Sequence, residues 1–362
     1  MNNVEKLYHF DPFSGKTGIP LEDIQYFYVP FDQLMNHSQI ETILLTEFKK
    51  QAIGKFYGLL GKSGSGKSSV LNYLLSELSS AGSKTFCIKI NEFYDDITGP
   101  RDLLRHIIRQ IHRMSSQFIK LGETEKNQAR KMLAKEYVYT SEERQTAKTG
   151  LKTWFNVIPM VLGMSIDAST ELESQSGVEI TEDTTLEELI VFTNQLVESL
   201  QKNAGITHVV VMLDETDKIR KPGTTEISSD EAKTFFLDAI SKLEKTKCSY
   251  VFVLNNQYNT ASFKSSILEP YFTKTLEIPS ITTQKAMTMI IEKRTKAACG
   301  QVKLNDVWDE SCMDHLYSFY EKESLRQLMP VCRNSIEKAR SDDAETISVR
   351  HVKHAIMEED QK

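Results

Sequence analysis

The sequence predicts an α/β fold in which a parallel sheet is covered by helices on both faces and is followed by a smaller all-helical region. Three observations carry this. Short apolar runs at 56–60, 84–90, 208–213 and 249–254 are bounded by polar residues, the pattern of strands buried on both faces. Helical periodicity fills much of the chain between them. From Thr282 onward the pattern is helical only, at about 283–298, 306–321, 324–340 and 348–358.

Length and composition set the frame. The chain has 362 residues, of which 40% are hydrophobic and 26% charged, the make-up of an ordinary globular protein of about two domains. No apolar run approaches the ~18 residues of a membrane span, and the start, Met1-Asn2-Asn3-Val4-Glu5-Lys6, lacks the architecture of a secretion signal. A cytoplasmic location, with nucleoid association as a variant, is therefore expected, with no membrane partner. The five cysteines are scattered and read as reduced, buried thiols, and the eight histidines show no ligand spacing. A net charge of −6 argues against nucleic-acid binding by bulk electrostatics, but allows a local basic face.

Residues 1–37 are rich in aromatics and prolines and read as an arm packed onto a core. A helix at about 38–53 leads into the strand 56–60. The helix after that strand begins at Ser69-Val70-Leu71. A strand at 84–90 and a helix from Asp102, with Leu104, Ile107, Ile108 and Ile111 on one face, come next. Residues 121–150 are strongly polar, and 151–180 have no clear period. Thr185-x-x-Glu188 is a capping box opening the helix 185–200. A last strand is expected near 273–278.

Between the first strand and its helix stands Gly61-Lys62-Ser63-Gly64-Ser65-Gly66-Lys67-Ser68, followed by Ser69. Glycines at these positions let backbone N–H groups approach phosphate oxygens, and the helix N-terminus adds its positive dipole end. Lys67 would reach the β- and γ-phosphates of ATP, and the Ser68 hydroxyl would ligate Mg²⁺. The run 208–213 ends in Asp214-Glu215, an apolar strand tipped by two acids. Asp214 would hold Mg²⁺ through its water shell, and Glu215 would polarise the attacking water. The strand 249–254 ends in Asn255-Asn256, polar groups placed to touch a γ-phosphate or a water. Arg101, Arg105, Arg109 and Arg113 recur every four residues as a slanted basic stripe, a candidate DNA phosphate-tracking surface.

The phosphate loop, Leu213-Asp214-Glu215-Thr216-Asp217-Lys218, the asparagine-tipped strand and the helical C-terminal region together resemble an AAA+ ATPase. With Ser324-Leu325-Arg326-Gln327-Leu328 and the segment 347–355, the chain is most similar to the origin-recognition and replication-licensing branch, and it also resembles transposition-regulator and STAND-like ATPases. The resemblance covers roughly 38–115 and 205–358. It implies a P-loop NTPase three-layer sheet with a small helical lid, divided as arm 1–37, core 38–281 and lid 282–362. It makes Asn256 the first sensor, with Asn255 the fallback, and Arg326 the second sensor. It sets Pro30, within Tyr28-Val29-Pro30-Phe31, beside adenine.

Three departures qualify it. The segment 266–274 has no arginine where many relatives carry a finger; Tyr271 stands there instead, leaving Lys274 or Arg220 as substitutes. The 147 positions between Lys67 and Asp214 imply an insertion at about 115–180. The chain ends just after the lid, and Pro330 interrupts the expected second-sensor helix. The expected function is ATP binding and slow hydrolysis by an assembly switch, working as a homo-oligomer or with a partner ATPase in a DNA-associated process. The alternative is a signalling or defence ATPase that gates an effector protein.

Overall fold

The computed structural model describes residues 2–14, 18–35, 38–50, 53–79, 83–90, 99–118, 185–214, 216 and 229–361. Five parallel strands form one sheet: β1 (Phe56–Gly61), β2 (Thr85–Ile90), β3 (His208–Leu213), β4 (Cys248–Asn255) and β5 (Lys274–Glu277), in the order β2-β3-β4-β1-β5. β1, β3 and β4 sit inside the sheet and are buried along almost their whole length, which is why they read as unbroken apolar runs. This is the three-layer sheet of a P-loop NTPase, and helical content dominates beyond β5.

The two faces carry separate cores. On one, α6 (Pro100–Phe118), α7 (Leu186–Ala204) and α8 (Ser229–Leu243) cover the sheet; Leu103, Leu104, Ile107, Ile108 and Ile111 of α6 are fully buried at helical spacing. The expected capping box opens α7: Glu188 N–H donates to Thr185 Oγ1 at 3.3 Å and Thr185 N–H to Glu188 Oε2 at 2.7 Å. On the other face lie α4 (Ile40–Lys49) and α5 (Lys67–Leu78), together with the N-terminal segment and the C-terminal helices in one continuous core. All five cysteines are free and buried.

The N-terminal segment is more ordered than its irregular sequence suggests. It forms α1 (Asn3–Phe10), α2 (Ile24–Phe27) and α3 (Phe31–Leu34), and α1 lies against the C-terminal helices. Arg340 stacks on Tyr8 at 3.9 Å and donates to Glu5 at 3.2 Å. The C-terminal region contains α9 (Gln284–Cys299), α10 (Cys312–Tyr320), α11 (Leu325–Ser341) and α12 (Val349–Glu359). The helix expected from 306 starts only at Cys312, because Trp308 is fully buried and bridges to Ile347 in parallel. Pro330 does not interrupt α11. The helix runs through it, since a proline six residues in removes only the bond to the Arg326 carbonyl.

The segment about 115–180 lies outside the described residues except for the end of α6. Among the described residues no helix is long and apolar enough to cross a membrane.

Candidate nucleotide-binding site

β1 delivers the chain to Gly61, and α5 starts at Lys67; the loop between them is held by its glycines. A Cβ on Gly61 would stand 2.7 Å from Ser65 Oγ. Gly64 (φ 75°) and Gly66 (φ 98°) lie in the left-handed region that side chains disfavour. Gly66 is the N-cap of α5, so the first amides of that helix face the loop's interior. Ser65 Oγ is buried and makes no hydrogen bond among the described residues, a donor suited to a phosphate oxygen. The Lys67 ammonium donates to the Gly61 and Lys62 carbonyls, 2.7 Å each.

Above the loop is a cavity of about 350 Å³, the size of a small-molecule site. Its floor is Ser63, Gly64, Gly66, Lys67, Ser68 and Ser69. Asp214 and Asn255 enter from the tips of β3 and β4, Tyr28, Val29 and Phe31 from the N-terminal segment, and Arg294 and Arg326 from the C-terminal helices. The structure thus brings the loop, Asp214 and Arg326 together. Gly61, Lys62 and Ser65 shape the loop behind that lining. Of the two asparagines, Asn255 faces the cavity, paired in register with Gly61. Asn256 instead begins a 3-10 turn and gives its N–H to the Asn255 side chain. The fallback, Asn255, is thus the asparagine that lines the cavity, because β4 keeps pairing through it. Pro30 caps α3, between two residues that do line the cavity. Glu215, Arg220 and Asp217-Lys218 lie outside the described residues. Tyr271 is exposed, and Lys274 is held by Glu47 at 3.0 Å.

The residues fit a nucleotide with a hard divalent cation. Ser68 and Asp214 offer hydroxyl and carboxylate oxygens to one cavity, and among the described residues no cluster of three or more His, Cys, Asp or Glu forms a protein-only metal cage. That is how Mg²⁺ is ordinarily shared between a protein and phosphates.

Several features were missed by sequence reasoning. Lys89 ion-pairs with Asp214 at 3.1 Å, both side chains about 5% exposed or less. A lysine inside an apolar strand was the available signal. Ser69 Oγ accepts the Ile19 N–H at 3.0 Å, tying the N-terminal segment to the start of α5. Arg294, buried, donates to the Pro12 carbonyl and faces the rings of Phe13 and Phe27; burial pulls its guanidinium down to about 10.

Beneath the Tyr28–Phe31 wall, Glu41 of α4 accepts from the Tyr28 hydroxyl and from the Phe31 N–H at 2.8 Å. Burial pushes its carboxyl up to about 7. The folded state therefore holds this proton more tightly than the unfolded chain. The resulting stability is fully present below the usual carboxylate range and is lost as pH rises through about 7. We expect the melting temperature to fall between pH 5 and 8, with this group contributing about 2 kcal/mol. Glu41→Gln should flatten that slope in a pH series of thermal melts; an unchanged slope would assign it elsewhere.

No curated protein matches the sequence. Among solved structures, the chain is similar to the Aeropyrum pernix ORC1 protein in complex with DNA, at TM-score 0.50 and 16% identity over 92% of this chain and 66% of that one. It is also similar to the Aeropyrum pernix ORC2 protein in ADPNP–ADP complexes (TM-score 0.49, 14% identity, 96% and 71%) and to Drosophila ORC bound to DNA (0.45, 14%, 98% and 64%). The chain thus spans less than two thirds of the Drosophila chain. At 16% identity the ORC1 likeness shows the fold alone. The KAP family P-loop domain matches residues 42–229, just over half of the chain and the whole stretch from before the phosphate loop to beyond Asp214. By that match the chain belongs to the KAP family of P-loop NTPases.

Proposed function

We propose that this protein binds and hydrolyses ATP with Mg²⁺ and uses the nucleotide state to control its assembly with a partner, in a DNA-associated process. One observation carries the reading. A single cavity is closed on one side by the phosphate loop and strand tips and on the other by α2, α3 and the chain before them from Pro12, together with the C-terminal helices. A nucleotide in it would touch both bodies, so its γ-phosphate would bias how they sit.

The residues divide the work. The amides at the start of α5 and Lys67 would hold the phosphates. Mg²⁺, held by Ser68 and Asp214, would neutralise phosphate charge. Asn255 would position a water or the γ-phosphate, with Glu215 as the base and Arg326 reporting the γ-phosphate to α11. The wall of Tyr28, Val29 and Phe31 would take the base.

DNA is supported less directly. Arg101, Arg105 and Arg109 stand on α6 but are only partly exposed, and the side chain of Arg113 lies outside the described residues. ORC1 of Aeropyrum pernix was solved in complex with DNA. A second reading, an ATPase that gates an effector protein, is favoured by Lys274. That cation of the finger segment is ion-paired with Glu47 of the same chain at 3.0 Å.

Sizing the protein by light scattering with a slowly hydrolysed ATP analogue, with ADP and with neither, each with and without duplex DNA, tests the reading. Larger species with the ATP analogue support assembly control. Identical sizes in all states, with no salt-sensitive DNA binding, would sink it.

A further inference from the structure

The strand alternation of the sheet puts three consecutive face-sharing positions to unusual use. Lys89 of β2 pairs in register with Met212 of β3, and Asp214 follows Met212 by two residues, so all three point to the α5 side. There the Lys89 ammonium meets Asp214 Oδ2 at 3.1 Å and donates to Asn72 Oδ1 at 2.7 Å. Asn72, on α5, donates in turn to the Ile19 carbonyl at 2.7 Å. Ile19 lies beside Gly18, where a Cβ would come within 3.0 Å of Ser68 Cβ. A chain of short polar contacts therefore runs from the N-terminal wall of the cavity, through α5, to its acidic strand tip.

A buried ammonium beside a metal-site carboxylate has an electrostatic consequence. Asp214 is 4% exposed, and its charge is balanced from within the protein. Unbalanced, it would repel a nucleotide's phosphates and make entry depend on a cation. Balanced, it leaves the loop able to take phosphates with or without one, with Oδ2 committed to Lys89.

We propose that Lys89 is a positioning residue that holds Asp214 and uncouples nucleotide binding from Mg²⁺, a role resting on the nucleotide-site reading above. The chain of contacts through Asn72 fixes the ammonium, so that the carboxylate keeps one orientation as the N-terminal wall engages the nucleotide.

The test is a fluorescence titration of the full chain with mant-ADP at pH 8, in Mg²⁺ and in EDTA, reading the ratio of the two dissociation constants. The parent should bind in both, with a ratio under about tenfold. Lys89→Met should raise the ratio by about tenfold or more, since one unit charge within ~4 Å is no longer balanced. Asn72→Leu, which removes the acceptor that fixes the ammonium and leaves the phosphate loop and Asp214 untouched, should raise the ratio in the same direction. A parent that binds only with Mg²⁺, or a Lys89→Met ratio equal to the parent's, overturns the proposal. If Lys89→Met does not fold, Asn72→Leu decides, a ratio equal to the parent's counting against Lys89. A parent that binds mant-ADP in neither condition overturns the nucleotide reading itself, a separate result.

Discussion

A Glu215→Gln variant should load ATP and keep it. Removing a positioned general base lowers turnover by about 10²–10⁴-fold, while the phosphate loop and Asp214 are untouched. The affinity for ATP should change by no more than about threefold, because Glu215 is asked to act on water rather than on phosphate. The neighbouring acid, Asp214, is buried and already bonded to the Lys89 ammonium, so its charge is compensated and one oxygen is occupied. Phosphate release by the purified variant, with bound nucleotide identified after gel filtration, is the check. Retained ATP with negligible release is expected; release at the parent's rate would remove Glu215 from the chemistry. The trapped form would also be the best material for finding a partner, since an assembly switch should stay in its ATP state.

How far the site could be read from the sequence depends on how local its chemistry is. The phosphate loop was legible because its geometry is fixed within eight residues: Gly64 and Gly66 must take positive φ, and Lys67 must follow at once. The strands were legible because parallel strands covered on both faces are apolar throughout, as β3 and β4 are. The capping box at Thr185 is likewise a four-residue matter. What the sequence leaves open is either a choice between neighbours or a contact across the sheet. Asn255 and Asn256 are identical residues, and only the register of β4 against Gly61 tells them apart. Lys89 and Asp214 are 125 positions apart in sequence, and only the β2–β3 ladder brings them into contact. The N-terminal segment looked irregular because its helices are short and are stabilised by burial against α5 and the C-terminal helices rather than by their own periodicity.

Lys67→Ala should abolish nucleotide binding at micromolar concentrations, weakening it by about 100-fold or more. The magnitude follows from an exchange. In the structure the Lys67 ammonium already donates to two backbone carbonyls, those of Gly61 and Lys62. Binding trades these neutral acceptors for ionised phosphate oxygens, and a hydrogen bond to a charged group is worth about 1.5–3 kcal/mol against about 1 for a neutral one. Two such exchanges, together with the loss of a positive charge beside a polyanion, give about 3 kcal/mol, or two orders of magnitude. Lys67→Arg should not rescue, because the planar guanidinium cannot occupy the compact point where the two carbonyls converge. The fold should survive in both variants. Lys67 begins α5 rather than packing in its interior, and the buried positions of that helix, Val70, Leu71 and Leu74, are unchanged. A melting temperature within a few degrees of the parent's, combined with lost mant-nucleotide fluorescence, is the expected pair of results. Nucleotide affinity equal to the parent's in a folded Lys67→Ala protein would mean that the loop's amides hold the phosphates without the lysine.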